Sequence, residues 1–264
     1  MDAGCCCDDK ASYTSATDQG VTRMSVAAVD QPLFEIVSGA APATIEEVIA
    51  TMQRIDALVA DKDGLKWFNR LYLMVTQEVD QHPPAGGWKD GAWLVRLDVV
   101  FAGLYFKAVA DFLIGSTATA SSWDAMLKAR YQEGIDRIQF ALAGMNAHIN
   151  HDLALALLET DRQMNIVPNY GSPQHADYEA VNDLLDTVTP AALEMLATGV
   201  LGQVAQDTGK IGRILAFWNI CSARDLAWDF ADHLRSLNVV AKEAGMLAQD
   251  QMTGALGRAI LHCV

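Results

Sequence analysis

The chain has 264 residues, and 33 Asp and Glu against 19 Lys and Arg leave it with a net charge of −14. That balance argues against a binder of phosphate backbones, which needs basic side chains to displace counterions, and it disfavours polyphosphate substrates. With 51% hydrophobic and only 20% charged residues, the chain can bury a large core, and no linker divides it, so one domain is expected.

Residues 1–30 are rich in Ser, Thr, Ala, Asp and Gly without an apolar period, and they read as a flexible tail ahead of a single helical domain over 31–264. The tail lacks the basic start and apolar stretch of a signal peptide. Cys5, Cys6 and Cys7 are adjacent and cannot staple a fold, and Cys221 and Cys263 sit in apolar surroundings. All five read as reduced thiols of a cytoplasmic protein. Helical spacing starts at Thr44, where Thr44-Ile45-Glu46-Glu47 has the form of a capping box ahead of Val48, Met52, Ile55 and Val59. A second helix is predicted over 64–81, with Trp67, Leu71, Met74 and Val75 inward, and it stops at His82-Pro83-Pro84-Ala85-Gly86-Gly87.

A third helix spans about 90–115, and Ser121-Ser122-Trp123-Asp124 opens a fourth with serine placed to cap it. The fifth, about 133–160, carries Ile135, Ile138, Leu142, Met145, Ile149, Leu153 and Leu157, and a break follows from Pro168 to Pro173. Further helices are predicted over 174–187, 190–201, 209–236 and 238–262, with Thr189 as cap and Pro190 in the first turn of the second of these. Strand-like alternation is absent, and no apolar run reaches the ~18 residues that span a bilayer. The expected architecture is an all-α, single-domain bundle of eight or nine helices with a central pocket.

Function is sought where polar residues fall on apolar faces. In Ala143-Gly144-Met145-Asn146-Ala147-His148-Ile149-Asn150-His151-Asp152-Leu153, His148 and Asp152 are four apart on one helical face. His151 projects about 60° away, so all three lie within a ~100° arc. Two imidazoles and a carboxylate that close suit metal ligation, or an acid–base pair with a histidine oriented by a carboxylate. The bland alternative is a hydrogen-bond network that sets helix register. On the third helix, Asp98 shares a face with Leu94, Phe101 and Tyr105 and needs a partner, for which His148, His151 and Arg224 are the candidates. Trp218, Cys221, Asp225 and Trp228 form one face beside Arg224, and rings next to a guanidinium can wall a ligand pocket. Asn69, Tyr72 and Thr76 add polar atoms from the second helix. Asn182-Asp183-Leu184-Leu185-Asp186 is a degraded aspartate-rich pattern that reads as helix surface, and His175, His233 and His262 read as surface histidines. No P-loop, dinucleotide-binding glycine pattern, nucleophile elbow or His-Glu-x-x-His occurs.

The chain resembles an uncharacterised helical family, domain of unknown function 5995. The resemblance rests on Trp67-Phe68-Asn69-Arg70-Leu71-Tyr72-Leu73-Met74-Val75-Thr76, on Leu97-Asp98-Val99-Val100-Phe101-Ala102 with Tyr105-Phe106, on Ala143 to Leu153, and on Ala223-Arg224 with Ala227-Trp228. It spans roughly residues 45 to 260 and implies a helical fold and these candidate residues, without an activity.

The leading expectation is an enzyme acting on a largely apolar small molecule in a buried pocket, a cyclase or isomerase of pericyclase type in specialised metabolism. His148, His151, Asp152 and Asp98 would supply hydrogen bonds or one proton transfer, and Asn69, Tyr72, Thr76, Phe101, Tyr105, Met145, Trp218, Arg224 and Trp228 would contact the substrate. No cofactor is required. The alternative is a metal-dependent hydrolase with a divalent ion on His148, His151 and Asp152, and the third reading is a non-catalytic ligand carrier. No nucleic acid and no membrane span is expected, and self-association into a homo-oligomer is compatible with the sequence.

Overall fold

The computed structural model describes residues 26–196 and 211–262, giving the helical backbone alone for 211–219. Among the described residues the chain forms nine helices and no strand. They are α1 (Gln31–Val37), α2 (Ile45–Leu58), α3 (Leu65–Gln81), α4 (Gly91–Leu113) and α5 (Ser121–Ala129), then α6, built from Arg137–Ala147, a π-helical turn His148–Asp152 and Leu153–Met164. α7 (Pro173–Leu196), α8 (Ile211–Ser236) and α9 (Val239–His262) follow. No helix among the described residues is long and apolar enough to cross a membrane. The tail up to residue 25, with Cys5–Cys7, lies outside the described residues, as do Cys263 and the side chain of Trp218.

α6 is the axis of the bundle because it is apolar nearly all round, which forces a helix into the interior. Ala141, Ala143, Ala147, Ala156 and Leu157 are fully buried. Its first half packs on α3, α5 and α9, and its second half on α4 and α8. The three tryptophans Trp93, Trp123 and Trp228 are sealed in the surrounding core, where burial of a large ring stabilises by roughly 1.5–3 kcal/mol each.

Helix starts follow the sequence in part. The Thr44 hydroxyl accepts from the Glu47 N–H at 3.3 Å, and the Glu47 carboxylate accepts from Ala43 N–H at 2.7 Å. α5 differs from expectation, since its cap is not a serine but Asp250 of α9, which accepts from Ser121 and Ser122 N–H at 2.8 and 2.9 Å. α9 can approach α5 this closely because position 254 is glycine. A Cβ there would stand 2.5 Å from Ser121 Oγ and 2.6 Å from the Ser121 carbonyl oxygen. Gly254→Ala is therefore expected to lift α9 off α5 at a cost of roughly 1–3 kcal/mol, read as a lower urea midpoint; an unchanged midpoint would refute the docking.

Two further expectations are corrected. The helices expected over 174–187 and 190–201 are one helix as far as Leu196, with Pro190 inside it. Leu185, Val188, Ala192 and Leu196 bury one continuous face across the proline, and that burial offsets the ~3 kcal/mol penalty of an internal proline. Thr189 is not a cap; its hydroxyl donates to the Leu185 carbonyl at 2.8 Å. Among the described residues, cavities open between neighbouring helices.

Candidate functional site

The π turn in α6 sets the geometry. Leu153 N–H reaches the His148 carbonyl, one residue further back than in an α-helix, and such turns recur at functional sites. His148 and Asp152 share a face as expected, with His148 Nδ1 3.1 Å from Asp152 Oδ2. The same oxygen accepts from Trp123 Nε1 at 2.8 Å, a third partner from α5 that the sequence analysis missed. The Phe101 ring stacks on the imidazole with centroids 3.5 Å apart, and Tyr72 meets it edge-on at 4.5 Å. Phe68 stands 5.6 Å away and closes the box. Gly144 admits Phe68, because any Cβ there would overlap its ring.

His148 and Asp152 are sealed from solvent. Burial pulls the imidazole well below its usual range and pushes the carboxyl well above the carboxylate range, against the Trp123 donation. Both shifts favour the uncharged forms, and His148 Nε2 has no partner among the described residues. No cavity described below has His148, His151 or Asp152 in its lining.

His151 faces away from this box. Its Nδ1 lies 3.9 Å from Asp250 of α9, and burial lowers its pKa while the Asp250 charge opposes that. The expected metal set of His148, His151 and Asp152 is thus divided between two neighbours, and among the described residues no group of three or more His, Cys, Asp or Glu could hold a metal ion. Asn69 and Tyr105 pair with each other at 3.2 Å, and Asn69 Nδ2 donates to the Met52 carbonyl. Trp228 packs in the core against Trp93 and Tyr178.

Five expected residues do converge. Tyr72, Thr76, Asp98, Phe101 and Arg224 line one cavity of about 40 Å³ between α3, α4 and α8, room for one or two waters. Arg224 is anchored toward α7, donating to Asn182 Oδ1 at 2.8 Å and to the Tyr178 carbonyl at 2.6 Å. Asp98 Oδ2 is buried without a partner. Burial pushes its pKa up to about 7, the Arg224 charge draws it down and Asp80 adds to the rise.

The ligand-sized space lies on the opposite face of α6. A cavity of about 360 Å³ opens between α6, α8 and α9, walled among the described residues by Leu142, Met145, Ile149, Ile220, Leu226 and Leu256. Met145 was an expected contact. Leu226 and Leu256 are 64% and 50% exposed at its mouth. Its polar lining comes from Ser222, Asn146 and Asn150; the two asparagines carried a sequence signal in their spacing of four, the mirror of His148 and Asp152.

Fold and cavity together define a class: an all-α bundle with a largely apolar cavity whose described lining carries no charged side chain. The chain belongs to the family of unknown function DUF5995, whose sequence model matches residues 45–263. No curated protein and no solved structure matches it.

Proposed function

We propose that this protein binds a largely apolar, uncharged small molecule in the cavity between α6, α8 and α9. The observation that carries the reading is the cavity, about 360 Å³ with no charged side chain among its described lining residues. A charged ligand would lose its hydration there without compensation, and the net charge of −14 further disfavours anions. The volume suits a ligand of roughly fifteen to twenty non-hydrogen atoms. A cytoplasmic setting goes with this reading, on the strength of three adjacent cysteines that cannot staple a fold.

N-phenyl-1-naphthylamine, a neutral dye of that size, is expected to bind saturably with a blue-shifted emission. Ala223→Trp should fill the cavity and weaken binding by at least roughly tenfold without loss of thermal stability. Absence of binding, or equal binding to both proteins, would overturn the reading.

A second reading, the cyclase or isomerase, is favoured by one separate observation: Asp98 presents an unpartnered, buried carboxyl oxygen in the cavity it shares with Arg224 and Tyr72. An acid whose pKa is pushed up to about 7 suits proton transfer at neutral pH. In that reading Asp98→Asn abolishes turnover while dye binding persists.

A further inference from the structure

The polar wall of the large cavity has a direction. Asn146 Nδ2 donates to the Thr253 backbone carbonyl at 2.9 Å, and Asn150 Nδ2 donates to Asn146 Oδ1 at 2.9 Å. A carbonyl oxygen only accepts, so Thr253 forces Asn146 to present its nitrogen to α9 and therefore its oxygen to Asn150. Asn150 must answer with its own nitrogen. Its Oδ1 is left over, without a partner among the described residues, in a side chain that lines the cavity. The relay is held at both ends. Gly257 of α9 packs beside Asn146, where a Cβ would stand 3.4 Å from Asn146 Nδ2, and Gln249 donates to the Asn150 backbone carbonyl at 2.7 Å. Flipping Asn146 would set oxygen against oxygen at Thr253, and flipping Asn150 alone would do the same at Asn146 Oδ1.

We infer that the Asn146–Asn150 relay makes the cavity selective for an apolar molecule carrying a hydroxyl group, which donates to Asn150 Oδ1. The inference rests on the proposed binding reading and specifies its ligand class. Among apolar molecules of equal shape, the one with a methyl group in place of the hydroxyl leaves Oδ1 desolvated and unpaired.

The test uses 2-naphthol and 2-methylnaphthalene, isosteres that differ in hydroxyl against methyl, each titrated as a displacer of N-phenyl-1-naphthylamine from wild type and Asn150→Leu. The ratio of the two dissociation constants cancels each probe's transfer from water when compared between proteins. It is expected to shift by roughly three- to tenfold toward the naphthol in wild type. In wild type, the ¹⁵N resonance of the Asn150 side-chain amide should move with the naphthol and stay with the methyl compound, a readout independent of how the variant folds. Equal ratios in the two proteins, or an unmoved amide resonance, would overturn the hydroxyl selectivity while displacement by either probe leaves the cavity reading standing. Failure of both probes to displace the dye, or of the dye to bind, would overturn the binding reading and this inference with it.

Discussion

Arg130→Met is expected to cost roughly 3–5 kcal/mol of folding stability, the penalty for stranding one member of a buried ion pair. Arg130 at the end of α5 is 3% exposed and Asp63 before α3 is 1% exposed. Arg130 Nε contacts both Asp63 oxygens at 2.9 and 3.0 Å, its Nη2 donates to Oδ2, and Asp63 Oδ1 also accepts from Leu65 N–H at 3.0 Å at the start of α3. Without the guanidinium, the buried carboxylate loses its charged partner and keeps the Leu65 backbone donor. Adding Asp63→Asn to Arg130→Met removes the stranded charge and should recover at least about 1 kcal/mol. Chemical denaturation of the three proteins checks both statements. A double variant no more stable than the single one would show that lost packing, not charge, sets the cost.

Asp98→Asn works in the other direction and stabilises the protein above neutral pH. The folded chain holds the Asp98 proton up to about 7, whereas the unperturbed carboxyl titrates near 3.8. A raised folded pKa means that the stability is fully present below the unfolded value and is lost as pH rises through about 7. Such a shift carries at most about 4 kcal/mol at ~1.4 kcal/mol per tenfold in proton affinity, and the partial exposure of the residue trims the expected gain to about 2 kcal/mol. Wild type and variant should therefore have equal stability below about pH 4 and separate by pH 8. Parallel profiles over that range would mean that Asp98 titrates normally. If activity is found, the same variant separates a carboxyl retained for proton transfer at the expense of stability from one that is only structural.

Both predictions concern buried charge, yet only one of these groups stood out in the chain. Asp98 was conspicuous because its neighbours at helical spacing, Leu94, Phe101 and Tyr105, are apolar, and its cavity contains Arg224, one of the partners expected for it. Asp63 and Arg130 sit at helix ends among polar residues, where nothing in local spacing distinguishes a buried pair from two solvated ones. His148 and Asp152 were legible as a pair four residues apart, but Trp123, which completes their hydrogen bonding, comes from a different helix. Asp250 and Asp177 are likewise caps delivered from a distance: Asp177 of α7 accepts from Lys89 and Asp90 N–H ahead of α4 at 2.7 and 2.6 Å. The short α1 was not anticipated because seven residues hold too few turns to show a period.

By itself the amino-acid order determined the helical class, most helix limits, the apolar character of the interior and which faces carry anomalous polar groups, because all of these follow from spacing of three and four residues along one helix. Tertiary structure alone decided that the His148–Asp152 pair is walled by aromatic rings while Asn146 and Asn150 border the ligand-sized space. That outcome depends on the π turn, on the approach angles of α5, α8 and α9, and on the continuity of α7 through Pro190. Each is a balance of burial across helices distant in the chain, which no local period encodes.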